Sequence, residues 1–597
     1  MSDHQTEKKS WLPPIGSKGY YILLGCVAIF ILGPLGGITA AYMNFSLGFF
    51  VGGQVLAGIL GSAVTYGYGS EGKHGANYMQ TMAASVASMA GMAVLIQAMT
   101  WLGLPQPASW QLVLFFTCIG MFGVGVGMLY TPMLVDKMNL TYPSGFAVAN
   151  ILRALTDLRL LKRSIGQLGG GTLAGLIVPL AAIKEPRIDD IGLSSSTIGA
   201  GMVVGARIAI SGAVVGVIGR YILTPYFRSI GWLDQNAPFR KIGFIIALGM
   251  ILGAAIVDIS LILFQAYKRL QQAQQEFVPP AEDWKQTNNK LLVVWIAGWG
   301  VALVAVATQI MHVPLLFVLV AIGLVFLFVM VNGIATGISD SNPISSAFVI
   351  TVFILAAFGL KDPGTGLLAA AILLISTSSG VDMQQDRSTG ARLGTNRLIQ
   401  FRFQAIGILM GSIMAVLLAK VFMQAYPVLQ INQFAHPNTP GAQAWGSAMT
   451  FKFVGALEGL THPKPFVMTA LQIGIGLGVA TELLRKMLKN LKGYRDFVAS
   501  GQVGFGVDFV IDSFILPSPY ASSFGGFVEL PVTLWFAAGG IATSVIQTVD
   551  ERKPKKLEDA DIPEDMSATS LVGGGLIAGE SLAALGIGVV GLAKTLL

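Results

Sequence analysis

Long apolar runs separated by short polar breaks occupy almost the whole chain. A helix needs about 20 apolar residues to cross the ~30 Å hydrocarbon layer of a bilayer, and this pattern predicts about 16 such helices. The predicted fold class is therefore an all-α polytopic membrane protein. Candidate spans begin near Tyr20, Leu47, Tyr78, Trp110, Ile165, Ile198, Ile242, Leu291, Pro314, Ile344, Gly364, Phe403, Pro465, Val503, Phe524 and Leu571.

Three stretches are too short or too rich in glycine for clean spans: 142–155, 376–400 and 503–523. Irregular backbone is tolerated at membrane depth only where protein or a water-filled cavity satisfies its polar groups. We expect half-helices or re-entrant segments in these three stretches.

Composition supports a membrane protein. Of the 597 residues, 53% are apolar and only 12% are charged, whereas soluble domains carry roughly 25% charged residues. The net charge of +7 lies in short loops, which fits positive-inside sorting better than binding to nucleic acid. We therefore expect the lipid bilayer as a partner and a cytoplasmic N-terminal tail over residues 1–19.

Two halves of the chain resemble each other. Small residues at Gly199, Gly205 and Ala209 align at one constant offset with Gly573, Gly579 and Ala583. Such internal symmetry is typical of transporters built from repeats, although chance likeness between glycine-rich apolar helices would look similar. The predicted division is a first repeat over 20–266, a hydrophilic linker over 267–290 and a second repeat over 291–597.

Recognisable catalytic and metal-binding motifs are missing from the sequence. Five histidines form no H-E-x-x-H motif, no G-x-S-x-G elbow occurs, and Cys26 and Cys118 lie singly in apolar runs. The run 67–74 has phosphate-loop spacing but lacks the Ser or Thr that would hold magnesium. We predict no catalytic residue, metal or cofactor, which leaves a secondary transporter, a channel or an intramembrane enzyme.

Charges inside apolar helices are the main functional candidates, because a charge at the bilayer centre costs roughly 2.5 to 3.5 kcal/mol on insertion scales. Glu580 lies in an apolar run, and Arg207 lies one position beyond its equivalent in the first half. Arg207 can hold a carboxylate and Glu580 can meet an amine or carry a proton, which suits a zwitterionic solute. A structural ion pair between them is the alternative.

Further polar residues qualify as candidates. Asp508 and Asp512 are four apart, on one face of a helix, and Glu529 precedes a proline in an apolar stretch. Each is a candidate for proton coupling, as is Glu580, although the two aspartates can equally face an aqueous vestibule. At broken points of the paired spans, three residues are candidates for substrate binding: Asn44, Asp340 and Asn342.

Several motifs resemble the oligopeptide transporter family, whose plant branch includes the yellow-stripe-like metal-chelate carriers. The resemblance covers almost the whole chain, and each motif is modest by itself while their order is specific. They are YPSGFA at Tyr142–Ala147, GITAAY at Gly37–Tyr42, DMQQD at Asp382–Asp386 and GLIAGE at Gly575–Glu580.

The resemblance implies about sixteen spans built by duplication, and it adds Tyr142 and Ser144 to the substrate-binding candidates. It also implies proton-coupled uptake of short peptides, glutathione-like compounds or metal chelates, and a homodimer. The fungal and plant Asn-Pro-Gly motif is missing, so their tetra- or pentapeptide preference does not transfer.

The leading hypothesis is a proton-coupled symporter that imports short peptides or peptide-like zwitterions by alternating access, in the inner membrane of a bacterium. A carrier of metal chelates is the alternative within transport, since a preformed chelate needs no metal ligands from the protein. A channel or an intramembrane enzyme is the alternative of another class.

Overall fold

The structure is a computed structural model, and the part of the chain that it describes is entirely helical and irregular, with no strand. It describes residues 12–46, 53–140, 158–182, 191–272, 283–339, 344–436, 439–442, 444–461, 465–551 and 567–596, with the single residues Tyr142, Gly145, Val148, Ala149, Leu152, Glu185, Ile188 and Asn342.

The α-helices are numbered along the chain. In the first half they are α1 (Lys18–Val27), α2 (Gly33–Ser46), α3 (Gly53–Thr65), α4 (Gly72–Gly91), α5 (Ala93–Trp101), α6 (Ser109–Thr131), α7 (Leu158–Gly175), α8 (Ile177–Ala182), α9 (Ser195–Val204), α10 (Ala206–Ile218), α11 (Thr224–Ser229) and α12 (Arg240–Gln272). In the second half they are α13 (Asn289–Ala305), α14 (Leu315–Ser339), α15 (Ile344–Ala357), α16 (Pro363–Leu393), α17 (Arg397–Ala425), α18 (Ala448–Thr461), α19 (Pro465–Asn490), α20 (Lys492–Ala499), α21 (Gln502–Val510), α22 (Pro519–Ser522), α23 (Phe524–Phe527), α24 (Leu530–Glu551) and α25 (Ala568–Leu596).

Eleven helical stretches of the described residues are long and apolar enough to cross a membrane, which confirms an all-α polytopic membrane protein. Several other predicted spans are shorter helices. The span expected near Ile198 is α9, with 10 residues, and the one expected near Val503 is α21, with 9 residues, followed by a π-helical turn at Ile511–Ile515.

The three stretches predicted as broken have different outcomes. The stretch 503–523 consists of short pieces, as expected. The prediction for 376–400 is wrong for most of its length, because α16 continues without interruption to Leu393 and ends at Gly394, whose φ of +73° is left-handed. Most of 142–155 lies outside the described residues.

The boundary between the predicted repeats falls next to α12. This helix continues to Gln272, into the stretch predicted as a linker, and residues 273–282 lie outside the described part. The duplication and its boundaries stay predictions.

Glycines allow the helices around the site to pack closely. A Cβ added at Gly201 would overlap the backbone carbonyl of Phe536 in α24, and one added at Gly579 would overlap the carbonyl of Thr172 in α7. Small residues at helical spacing permit such backbone contact inside a membrane. Close packing at these glycines brings α7, α9, α24 and α25 together.

Candidate functional site

A broken helix lies at the centre of the site. Gly205 separates α9 from α10 with a φ of +87°, a conformation that favours glycine because it has no Cβ. With 10 residues, α9 extends about 15 Å at 1.5 Å per residue, about half of the hydrocarbon layer. The glycine-rich segment is therefore discontinuous as well as closely packed.

The N-terminus of α9 lies at the middle of α25. Gly199 packs against Gly573, while Ser196, one turn earlier, contacts Glu580, so the two helices run antiparallel. Glu580 is close to the midpoint of α25. The first turn of α9 therefore points its free N–H groups into the interior of the helix bundle, where polar groups need partners.

Glu580 supplies the partner. Its Oε1 accepts from the Tyr42 hydroxyl at 3.0 Å, and its Oε2 accepts from the Ser194 hydroxyl at 3.2 Å and the Ser196 backbone N–H at 2.5 Å. Ser194 is also the N-cap of α9, since its oxygen accepts from the N–H of Thr197. A carboxylate at a helix N-terminus is favoured by the orphan donors and by the helix dipole.

A cavity of about 1040 Å³ opens beside this carboxylate. Its wall includes Tyr42, Ser194 and Glu580. Its aromatic side is formed by Trp445, whose ring centroid lies 5.4 Å from that of Tyr42 and 4.4 Å from that of Tyr426. The volume is at the upper end of the range for small-molecule sites, roughly 300–1,000 Å³, so the cavity has room for a solute the size of a short peptide or a chelate.

Two further charged residues lie on the same wall, Arg220 and Glu529. Arg220 belongs to a π-helical turn, Gly219–Leu223, that follows α10, and Glu529 directly precedes α24. In this way one wall combines a guanidinium and two carboxyl groups.

Arg207, predicted to hold substrate, lies elsewhere. It donates to Asp508 at 2.5 Å and to Asp512 at 2.8 Å, and neither Arg207 nor either aspartate lines the cavity. The alternative of an Arg207–Glu580 ion pair is also wrong, because the two side chains have different partners. Thirteen residues of helix separate Arg207 from Arg220, about 20 Å at 1.5 Å per residue.

The aspartates belong to a cluster of ion pairs. Their exposure to an aqueous vestibule stays a prediction. The ammonium of Lys489 lies 2.6 Å from Asp512, and the hydroxyl of Tyr494 donates to Asp508 at 2.8 Å. Partial burial and the hydrogen bond to Asp508 raise the pKa of Tyr494 to about 12, so its hydroxyl remains a donor at neutral pH.

Three other predicted substrate residues, Tyr142, Asn342 and Asn44, do not line the cavity. Tyr142 is fully buried in an apolar cluster and its N–H donates to the carbonyl of Gly337. Asn342 accepts from Asn332 at 3.1 Å, and Asn44 is buried in α2. Asp340 and Ser144 lie outside the described residues.

Sequence reasoning missed Arg220, although it is an arginine in an apolar stretch like Arg207. It also missed a buried polar network between α4, α16 and α17. There Gln80 donates to Asp386 at 2.9 Å, Gln400 donates to Asn77 at 3.1 Å, and Arg387 is fully buried. The sequence did contain a signal for this network, because Asp386 and Arg387 are charged residues within a long apolar helix.

The fold defines a multi-pass membrane protein, and its helices enclose a cavity lined by charged and aromatic side chains. The family model for OPT oligopeptide transporter proteins matches residues 22–179 and 172–590. The chain belongs to this family of transporters, as its motifs indicated, and it is not an enzyme.

Relatives within the family carry two kinds of name. The chain is 25% identical over 371 residues to metal-nicotianamine transporter YSL3 of Arabidopsis thaliana, covering 53% of this chain and 54% of the plant protein. It is 22% identical over 540 residues to a Haemophilus influenzae protein named "Putative oligopeptide transporter", covering 78% and 82%. The chain covers 54% and 56% of the lengths of the first two plant relatives, about half of each protein.

Proposed function

We propose that this transporter is a proton-coupled symporter that imports short peptides or peptide-like zwitterionic solutes by alternating access. The observation that carries the proposal is the position of Glu580, which lies at mid-helix on the cavity wall and caps the half-helix α9. Half-helix N-termini at mid-depth are the usual building blocks of solute sites in repeat-built transporters.

Glu580 is the proposed coupling group because its protonation changes the contacts that hold the site together. As a carboxylate it accepts three hydrogen bonds, from Tyr42, Ser194 and Ser196. A proton on the carboxyl removes the charge that attracts the N-terminus of α9, and charge-assisted bonds are roughly twice as strong as neutral ones. Loading a proton therefore loosens α9 from α25 beside the solute.

The cluster around Arg207 is the proposed closed gate on the other side. It ties the start of α10 to α21 through Asp508 and to the end of α19 through Lys489. Because α10 also leads to the cavity at Arg220, a movement of this helix can open one end while closing the other.

Uptake into proteoliposomes tests the proposal. With an inwardly directed proton gradient, the wild type is expected to accumulate a labelled tripeptide, and a protonophore is expected to abolish accumulation. Glu580→Gln should retain exchange of peptide but lose accumulation. Asp234→Asn, at an 82% exposed side chain, is the matched control. If Glu580→Gln accumulates peptide to the same level as the wild type, Glu580 is not the coupling group.

A carrier of metal chelates is the second candidate. Relatives are named as metal-nicotianamine transporters, and the described residues contain no group of three His, Cys, Asp or Glu side chains that could hold a metal ion. A metal would therefore enter as a preformed chelate, whose aminocarboxylate groups suit the same charged wall. Competition of labelled tripeptide uptake by iron or zinc chelates separates the two solute classes.

For orientation we propose a multi-pass protein of the bacterial inner membrane with a cytoplasmic N-terminus. The basic cluster of α19 and α20, including Arg485, Lys489 and Lys492, supports a cytoplasmic location for that end of the bundle. The homodimer that the family resemblance implies also stays a proposal. Labelling of single introduced cysteines from either side of the membrane, and mass measurement in detergent, test these two points.

A further inference from the structure

Two opposite charges that line the cavity make no side-chain hydrogen bond or salt bridge within the described part of the protein. Neither the guanidinium of Arg220 nor the carboxylate of Glu529 makes a hydrogen bond or ion pair there, while both line the cavity. Glu580, on the same wall, already accepts three hydrogen bonds. Charged groups left open at a solute cavity are available for a ligand, whereas saturated ones are not.

The two helices that carry these charges place them at one end of the cavity. Gly216 of α10 packs against Thr533 of α24, and Ala209 packs against Gly540, so the helices run antiparallel. Arg220 follows Gly216 by one turn and Glu529 precedes α24, so both lie at the same end of this helix pair. They are nevertheless too far apart for a salt bridge, which leaves space for a bridging molecule.

The nearby cation Arg240 interacts electrostatically with Glu529 but forms no salt bridge with it, and its guanidinium has other contacts. Its guanidinium donates to the carbonyl of Gly446 and lies 3.5 Å from the centroid of the Phe451 ring, and the residue is 4% exposed. Arg220 is exposed and sits in a π-helical turn, a geometry that is frequent at functional sites. The two arginines thus differ in availability.

We propose that Arg220 binds the carboxylate of the solute and Glu529 binds its amino group, so that the cavity selects molecules carrying both. This assignment rests on the proposed function, and it names the chemistry that the site selects. The planar guanidinium fits a carboxylate bidentately, and an alkylammonium donates to a carboxylate at hydrogen-bonding distance. Glu529 is thereby a binding group, while proton coupling stays with Glu580.

Peptide analogues test the assignment in the full-length protein. Uptake is measured for trialanine, its C-terminal amide and its N-acetyl derivative. Wild type is expected to show a KM about 10- to 100-fold higher for each blocked peptide, the range for a lost charge-assisted hydrogen bond. Arg220→Gln should raise the KM for trialanine and leave that of the amide unchanged, so the discrimination against the amide disappears while kcat changes little.

Glu529→Gln should show the complementary pattern, losing discrimination against the N-acetyl peptide alone. Arg220→Lys restores the positive charge and should recover part of the preference for a free carboxylate. Arg402→Gln, at an exposed arginine of α17 that does not line the cavity, is the matched control and should retain the wild-type pattern.

Equal shifts for trialanine and its amide in Arg220→Gln would overturn the assignment and indicate a structural arginine. A wild type that transports all three peptides equally would overturn it as well, even with uptake driven by protons. Discrimination that persists while uptake ignores the proton gradient would overturn proton coupling and leave the charge assignment standing. A wild type that neither binds nor transports any of the three peptides would overturn both.

Discussion

Arg207 lies at the start of α10 and Arg220 lies in the π-helical turn that follows this helix, and the two arginines have different surroundings. Arg207 is paired with Asp508 and Asp512, which Lys489 also contacts. Arg220 lines the solute cavity and has no partner among the described residues. A charged residue in an apolar helix can therefore have either of two roles. Its partners decide whether it holds helices together or remains available to a solute.

The largest difference between the two arginines is expected in stability. Arg207→Gln leaves two largely buried carboxylates with fewer cations. Breaking a buried ion pair costs roughly 3–5 kcal/mol; because Arg207 is 32% exposed and Lys489 still contacts Asp512, we expect a smaller loss in the free energy of unfolding, about 2–4 kcal/mol. Arg220→Gln removes no described interaction and should melt within error of the wild type. Thermal unfolding in detergent measures both. Equal losses of stability in the two variants would contradict the distinction between a paired Arg207 and an unpaired Arg220.

A smaller loss of stability is expected at the helix break between α9 and α10. Gly205→Ala places a Cβ on a backbone with φ +87° and ψ +165°, a conformation nearly restricted to glycine that costs roughly 1–3 kcal/mol, although there is open space around the added atom. Gly298→Ala is the control, because that glycine also has open space but lies within the helix α13. A stable Gly205→Ala protein with normal uptake would show that the break at this residue is not required.

The smallest effect is expected at the cap of α9. Ser194→Ala removes the acceptor for the N–H of Thr197 and one donor to Glu580, and loss of an N-cap side chain costs roughly 1 kcal/mol. Ser229→Ala, whose hydroxyl bonds only a local carbonyl at 2.7 Å on an exposed turn, is the control. We expect Ser194→Ala to slow proton-driven uptake and Ser229→Ala to leave it unchanged. Equal uptake rates in the two variants would show that the Ser194 cap is not required for proton-driven uptake.

Part of the site was predictable from the sequence. The apolar run around Glu580 identifies it as an intramembrane carboxylate, whereas its contact with the helix broken at Gly205 is known from the structure alone. The ion pair with Arg207, given as the alternative, does not form, because the two side chains have different partners. Alignment of the two halves places Arg207 near the position equivalent to Glu580, but equivalent positions in two repeats need not face the same cavity.

Arg220 is a second case in which the sequence does not reveal what a charged residue faces. It satisfied the criterion that selected Arg207, a charge in an apolar stretch, yet nothing in its local sequence distinguishes a lipid-facing, paired or cavity-facing arginine. The π-helical turn at Gly219–Leu223 and the packing of Gly216 against α24 set its location, and both depend on contacts between distant parts of the chain.

The sequence by itself determined that this chain crosses a membrane many times as helices and belongs to a transporter family, because the length of apolar runs and the order of motifs are local, one-dimensional properties. Only the tertiary structure decided which charges are paired and which line the cavity. Pairing requires atoms within about 4 Å of each other, and in this fold those distances join residues hundreds of positions apart, such as Tyr42 with Glu580 and Arg207 with Asp508.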